Sequence, residues 1–74
     1  MVQEIKLLDV VALLSDVPEE KLHRGETGTI VEDFGDGCYL VEFSDNFGRT
    51  YALPELKASQ LLVLHKVPVA EVLV

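Results

Sequence analysis

From Arg24 to Leu64 the chain alternates short strand-forming segments with tight turns, and this rhythm restricts its fold more than any other feature. It runs Arg24-Gly-Glu-Thr-Gly-Thr-Ile-Val, a Gly35-Asp-Gly turn, Cys38-Tyr-Leu-Val-Glu-Phe, Asp45-Asn-Phe-Gly, then Arg49-Thr-Tyr-Ala-Leu. β-Branched and aromatic residues fill the segments, which suits a pleated, half-buried surface. Asp36-Gly37 offers the positive φ that a hairpin turn needs. In Cys38 to Phe43 the period of two is clearest. Tyr39, Val41 and Phe43 point one way, and Cys38, Leu40 and Glu42 the other. The first set is assigned to the core.

The flanking segments extend the pattern. Leu7 to Leu14 is apolar and reads as a first strand, although Leu and Ala also suit a helix and periodicity does not decide between them. Asp16 to Gly25 is the longest connection. Pro18-Glu-Glu-Lys-Leu in it predicts one helical turn capped by Ser15 or Asp16. Glu26 to Phe34 is the second strand, with Gly28 at a bend or bulge. Arg49 to Leu53 is the fourth, stopped by Pro54. Pro54 to Gln60 reads as a connection with a single 3₁₀ turn, and Leu61 to Leu64 as the fifth strand. Turn spacing near ten residues agrees. The expected fold is all-β: a small five-stranded SH3-like barrel over residues 1–66.

Residues 67–74 read as an apolar, strand-like C-terminal extension. Such a segment packs on the same chain, through Val2 to Lys6, or on another copy, or else stays without fixed structure. Val67, Val69, Val72 and Leu73 are the expected oligomer contacts.

Size makes self-association attractive. A chain of 74 residues is one domain, with a core that supplies roughly 3–5 kcal/mol. One cysteine allows no internal disulfide, and two histidines with one cysteine are too few for a structural zinc site. Thirteen Asp and Glu face six Lys and Arg, a net charge of −7. Phosphate backbones release counterions to cationic surfaces, so nucleic acid and anionic membranes fit this chain poorly. A basic protein fits better. No basic-then-apolar leader is evident at the N-terminus, and no apolar run nears the roughly 20 residues of a spanning helix. The cytoplasm is the expected compartment.

Several spaced blocks resemble a known family. They are Leu8-Asp-Val-Val-Ala-Leu-Leu, Pro18, Arg24-Gly-x-x-Gly-Thr-Ile-Val-Glu, Tyr39-Leu-Val-Glu-Phe, Gly48-Arg-Thr-Tyr-Ala and Gln60-Leu-Leu-Val-Leu. This order is similar to that of short bacterial proteins, notably cyanobacterial, grouped only as a domain of unknown function. The resemblance spans about residues 7 to 64 and implies a stand-alone SH3-like domain. It carries over no enzymatic activity, and it hints at a partner role of the antitoxin or immunity kind.

The residues themselves point the same way. His23 and His65 have no neighbouring nucleophile, and Cys38 reads as a small apolar filler. Glu32 and Asp33 face opposite sides of a strand. His23, Glu26, Asp36 and His65 lack the ordered spacing of a metal loop. No catalytic, metal or cofactor residue is therefore assigned. Small barrels often bind peptides with aromatics beside the first loop. Here Phe47 sits in a polar turn, either folded back or displayed, and Tyr51 alternates with Arg49. Phe47, Arg49 and Tyr51, beside an acidic loop of Asp16, Glu19, Glu20 and Glu26, form the expected partner-binding surface. The expected function is a non-enzymatic protein-binding module, with a metalloenzyme accessory domain as the rival.

Overall fold

The computed structural model describes residues 4–64. The expected extension, with Val67, Val69, Val72 and Leu73, lies outside them. Six strands form one antiparallel sheet: β1 (Val10–Leu13), β2 (Thr27–Asp33), β3 (Cys38–Ser44), β4 (Thr50–Ala52), β5 (Glu55–Lys57) and β6 (Leu61–Val63). The order is β4-β3-β2-β1-β6, and β5 also pairs with β3. Thus β4 and β5 lie end to end along one edge of β3. Among the described residues no ladder joins them to β6. The all-β reading holds, but over the described residues the sheet is open and has six strands, not five in a closed barrel.

The extra strand is β5. Its Glu55, Leu56 and Lys57 pair with Leu40, Tyr39 and Cys38, in a stretch that reads locally as a connection. The predicted 3₁₀ turn does follow, at Ala58–Gln60. The first strand is shorter than the apolar run. Leu7 and Leu8 form a turn, with Leu8 at φ 71° and the Asp9 carboxylate accepting the Lys6 N–H. The predicted turn at Pro18–Glu20 is 3₁₀, but no side chain caps it. Asp16 accepts the Arg24 N–H instead, at 2.7 Å.

Alternation sets the core. Val11 and Leu13, Ile30, Val41 and Phe43, Leu56, and Leu61 and Val63 point to one side and are buried. Tyr39 is partly buried against them, a looser place than its assignment. From the first loop, Val17 and Leu22 close the core. They are joined by a bridge in which each N–H donates to the other's carbonyl. Gly28 is not the bulge. The register slips three residues later, where Ile30 faces Val41 and Glu32 faces Leu40, which leaves Val31 as the extra residue. Gly28 instead permits close approach. A Cβ there would meet the Glu42 carbonyl oxygen and Val41 Cγ1, each at 2.8 Å.

Candidate functional site

The β3–β4 turn is organised by one side chain. Asp45 Oδ1 accepts the N–H groups of Phe47 (2.9 Å) and Arg49 (3.0 Å), and Oδ2 accepts Arg49 Nε at 3.0 Å. The Asp45 N–H donates to the Arg49 carbonyl, and the Gly48 N–H to the Asp45 carbonyl. An aspartate that accepts nearby backbone N–H groups builds a turn by itself. Those donors, the Arg49 N–H first, hold the Asp45 carboxyl below its ordinary range. On this braced turn Phe47 is 83% exposed. The Arg49 guanidinium lies 5.5 Å from its ring centre, within cation–π reach. Of the two placements open to Phe47, display is the one found.

Tyr51 ties β4 to the end of the first loop. Its ring lies against Phe43, with centres 6.4 Å apart and planes tilted by 50°. Its hydroxyl donates to Glu26 Oε1 at 2.8 Å. Glu26 Oε2 accepts the His23 N–H at 2.6 Å, and His23 Nδ1 stands 3.5 Å from the same oxygen. The His23 N–H, then the Tyr51 hydroxyl, holds the Glu26 carboxyl below its ordinary value. The same bond to Glu26 pushes the Tyr51 phenol up.

The predicted surface is thus partly assembled. Glu26 and Tyr51 touch, and Phe47 and Arg49 meet in the turn that leads into β4. Asp16 and Glu26 spend their carboxylates on backbone donors inside the first loop. Glu19 and Glu20 lie exposed on the 3₁₀ turn, with no side-chain partner among the described residues. They are the loop's free acidic charges. Asp45 is not among the expected surface residues, though the Asp45-Asn-Phe-Gly turn that it organises is plain in the sequence. Also unassigned was a shallow hollow of about 170 Å³ lined by Val10, Thr27, Gly28, Thr29, Glu42 and Ser44. Beside it the Thr50 hydroxyl donates to Glu42 Oε2. Only the tertiary register brings those three strands' outer positions together.

Cys38 is partly buried. Desolvation, with Asp36 and Glu55 nearby, pushes its thiol up, away from the thiolate that nucleophilic chemistry uses. Among the described residues no three His, Cys, Asp or Glu side chains converge for a metal. His65 lies outside them. No described helix is long and apolar enough to cross a membrane.

Fold and site together define an all-β domain that displays a braced aromatic and cationic turn, with the following strand tied to the acidic first loop by the bond between Tyr51 and Glu26. Residues 7–63 match the family described as Domain of unknown function (DUF4926). That is well over half of the 74 residues, and the chain belongs to this family. No curated protein and no solved structure matches it.

Proposed function

We propose that this protein is a non-enzymatic recognition module for a basic protein partner, of SH3-like type and acting in the bacterial cytoplasm. One observation carries the reading: Phe47, a large apolar side chain, is displayed on a turn held by three hydrogen bonds to Asp45. An exposed aromatic on a pre-ordered loop loses little entropy on binding, and aromatic residues, Phe included, are enriched at protein interfaces. Glu19 and Glu20 supply unpaired negative charge on the first loop. Charge of this kind sets encounter rate and orientation more than final affinity. Phe47, Arg49 and Tyr51 then supply the contact. A neighbouring small protein, in the manner of an antitoxin or immunity pair, is the partner of choice.

The test is a pull-down from the cells that encode the chain, with wild type, Phe47→Ala and the double variant Glu19→Lys, Glu20→Lys. The expected result is one specific partner, lost with Phe47→Ala and weakened by at least tenfold, about 1.4 kcal/mol, in the double variant. A partner retained equally by all three proteins overturns the reading.

A further inference from the structure

We infer that the outer face of β1 and β6 is a contact surface for a second copy of this chain. It uses neither the first loop nor Phe47. In the ladder between these strands Val11 faces Val63 and Leu13 faces Leu61 on the core side. The opposite side is aliphatic as well. Ala12 faces Leu62, and the Leu64 N–H donates to the Val10 carbonyl. Val10, Leu14, Leu62 and Leu64 are 42%, 47%, 46% and 40% exposed. A strand with water on one face alternates apolar and polar residues, whereas a strand covered on both reads as a continuous apolar run. Val10-Val-Ala-Leu-Leu14 and Leu61-Leu-Val-Leu64 are of the second kind. Leu7 and Leu8, leading into β1, add two more exposed leucines.

Charge selects the occupant. Each copy carries −7, so two copies repel wherever carboxylates meet. In an isologous contact every residue meets the same patch on its twin, so a charge near the axis meets a like charge. The β1–β6 outer ladder has no ionisable side chain. Thr29 and Thr27, opposite Val10 and Ala12 on β2, form an uncharged border, and the Glu42 carboxylate beyond Thr29 on β3 accepts the Thr50 hydroxyl. A standard interface removes about 800 Å² per partner, about a seventh of the 5596 Å² this chain exposes. An apolar centre two strands wide with a polar rim is the anatomy of such a contact. Stacked sheets pack about 10 Å apart, with aliphatic side chains of this size between them.

Light scattering on the full 74-residue chain, from about 1 to 200 µM, tests this over the micromolar affinity range. The expected mass rises with concentration to twice the chain's 8.2 kDa. Val10→Lys and Leu62→Lys should each weaken association at least tenfold. Leu62→Thr, a strand former without a charge, should do so with an unchanged circular dichroism spectrum even if a lysine variant fails to fold. Phe47→Ala should associate like wild type, which separates this contact from the partner surface. A wild-type chain that stays at 8.2 kDa throughout overturns the inference. So does a folded Leu62→Thr protein that still doubles its mass.

Discussion

Gly28 shows how one absent methyl shapes the interior. Its position in β2 would bring a Cβ to 2.8 Å from a backbone oxygen and to 3.1 Å from the Phe43 ring. A carbonyl in a sheet ladder cannot yield like a side-chain tip. Gly28→Ala should cost about 1–3 kcal/mol, as overpacking does, read as a lower urea midpoint with unchanged slope. Glu26 makes a prediction about pH. The His23 N–H and the Tyr51 hydroxyl keep the folded carboxyl harder to protonate than the unfolded one, whose ordinary value is 4.5. As pH falls, the unfolded chain takes up that proton first. The stabilisation is therefore present above about pH 4.5 and lost as pH falls through the lower folded value. Thermal melts from neutral pH downward should fall less steeply for Glu26→Gln than for wild type. Equal slopes would mean the carboxylate is not held as described.

Among elements, the β3–β4 turn separates stability from display. Phe47 touches little, so Phe47→Ala should change stability by no more than about 0.5 kcal/mol. Asp45→Ala leaves Phe47 in place but removes every side-chain brace of the turn. Amide exchange at Phe47 and Arg49 should then speed up, and partner affinity should fall although the contact residue is intact. Unchanged exchange would show that backbone bonds alone hold the turn. Element by element, legibility followed locality. β3 was readable because its alternation lies within seven consecutive residues. β5 was not. It has three residues and one buried side chain, Leu56, too short for a period to show, and its partners Cys38 to Leu40 are distant in sequence. The cap at Pro18 failed for a related reason: Asp16 reaches across its loop to Arg24, a choice that residue preference cannot anticipate.

For the whole molecule, the margin is small. Phe43 is fully buried beneath Tyr51 and beside Gly28. Phe43→Ala should cost about 3–5 kcal/mol, as much as a core of this size supplies, roughly 3–5 kcal/mol. The variant should be largely unfolded at 25 °C without denaturant, seen as loss of far-ultraviolet strand signal. If the chain pairs through β1 and β6, mass action should also raise the wild-type melting temperature with concentration, and Leu62→Thr should abolish that rise. The candidate surface was legible at the same two levels as the fold. Glu26, Phe47, Arg49 and Tyr51 were named from composition and turn position. The bond between Tyr51 and Glu26, 25 residues apart, and the sparing of Glu19 and Glu20 as free charges, were not.

Sequence alone determined the all-β class, the turns after β2 and β3, the 3₁₀ segment before the last strand and the inward set Val41 and Phe43. Each of these depends on near neighbours: a two-residue period, a glycine, a proline. Tertiary structure alone decided that the sheet of the described residues stays open, that β5 extends the edge of β3, and that β1 and β6 lie side by side. Those outcomes depend on which distant backbone N–H and C=O groups meet, and pairing partners far apart in the chain leave no periodic mark on either segment.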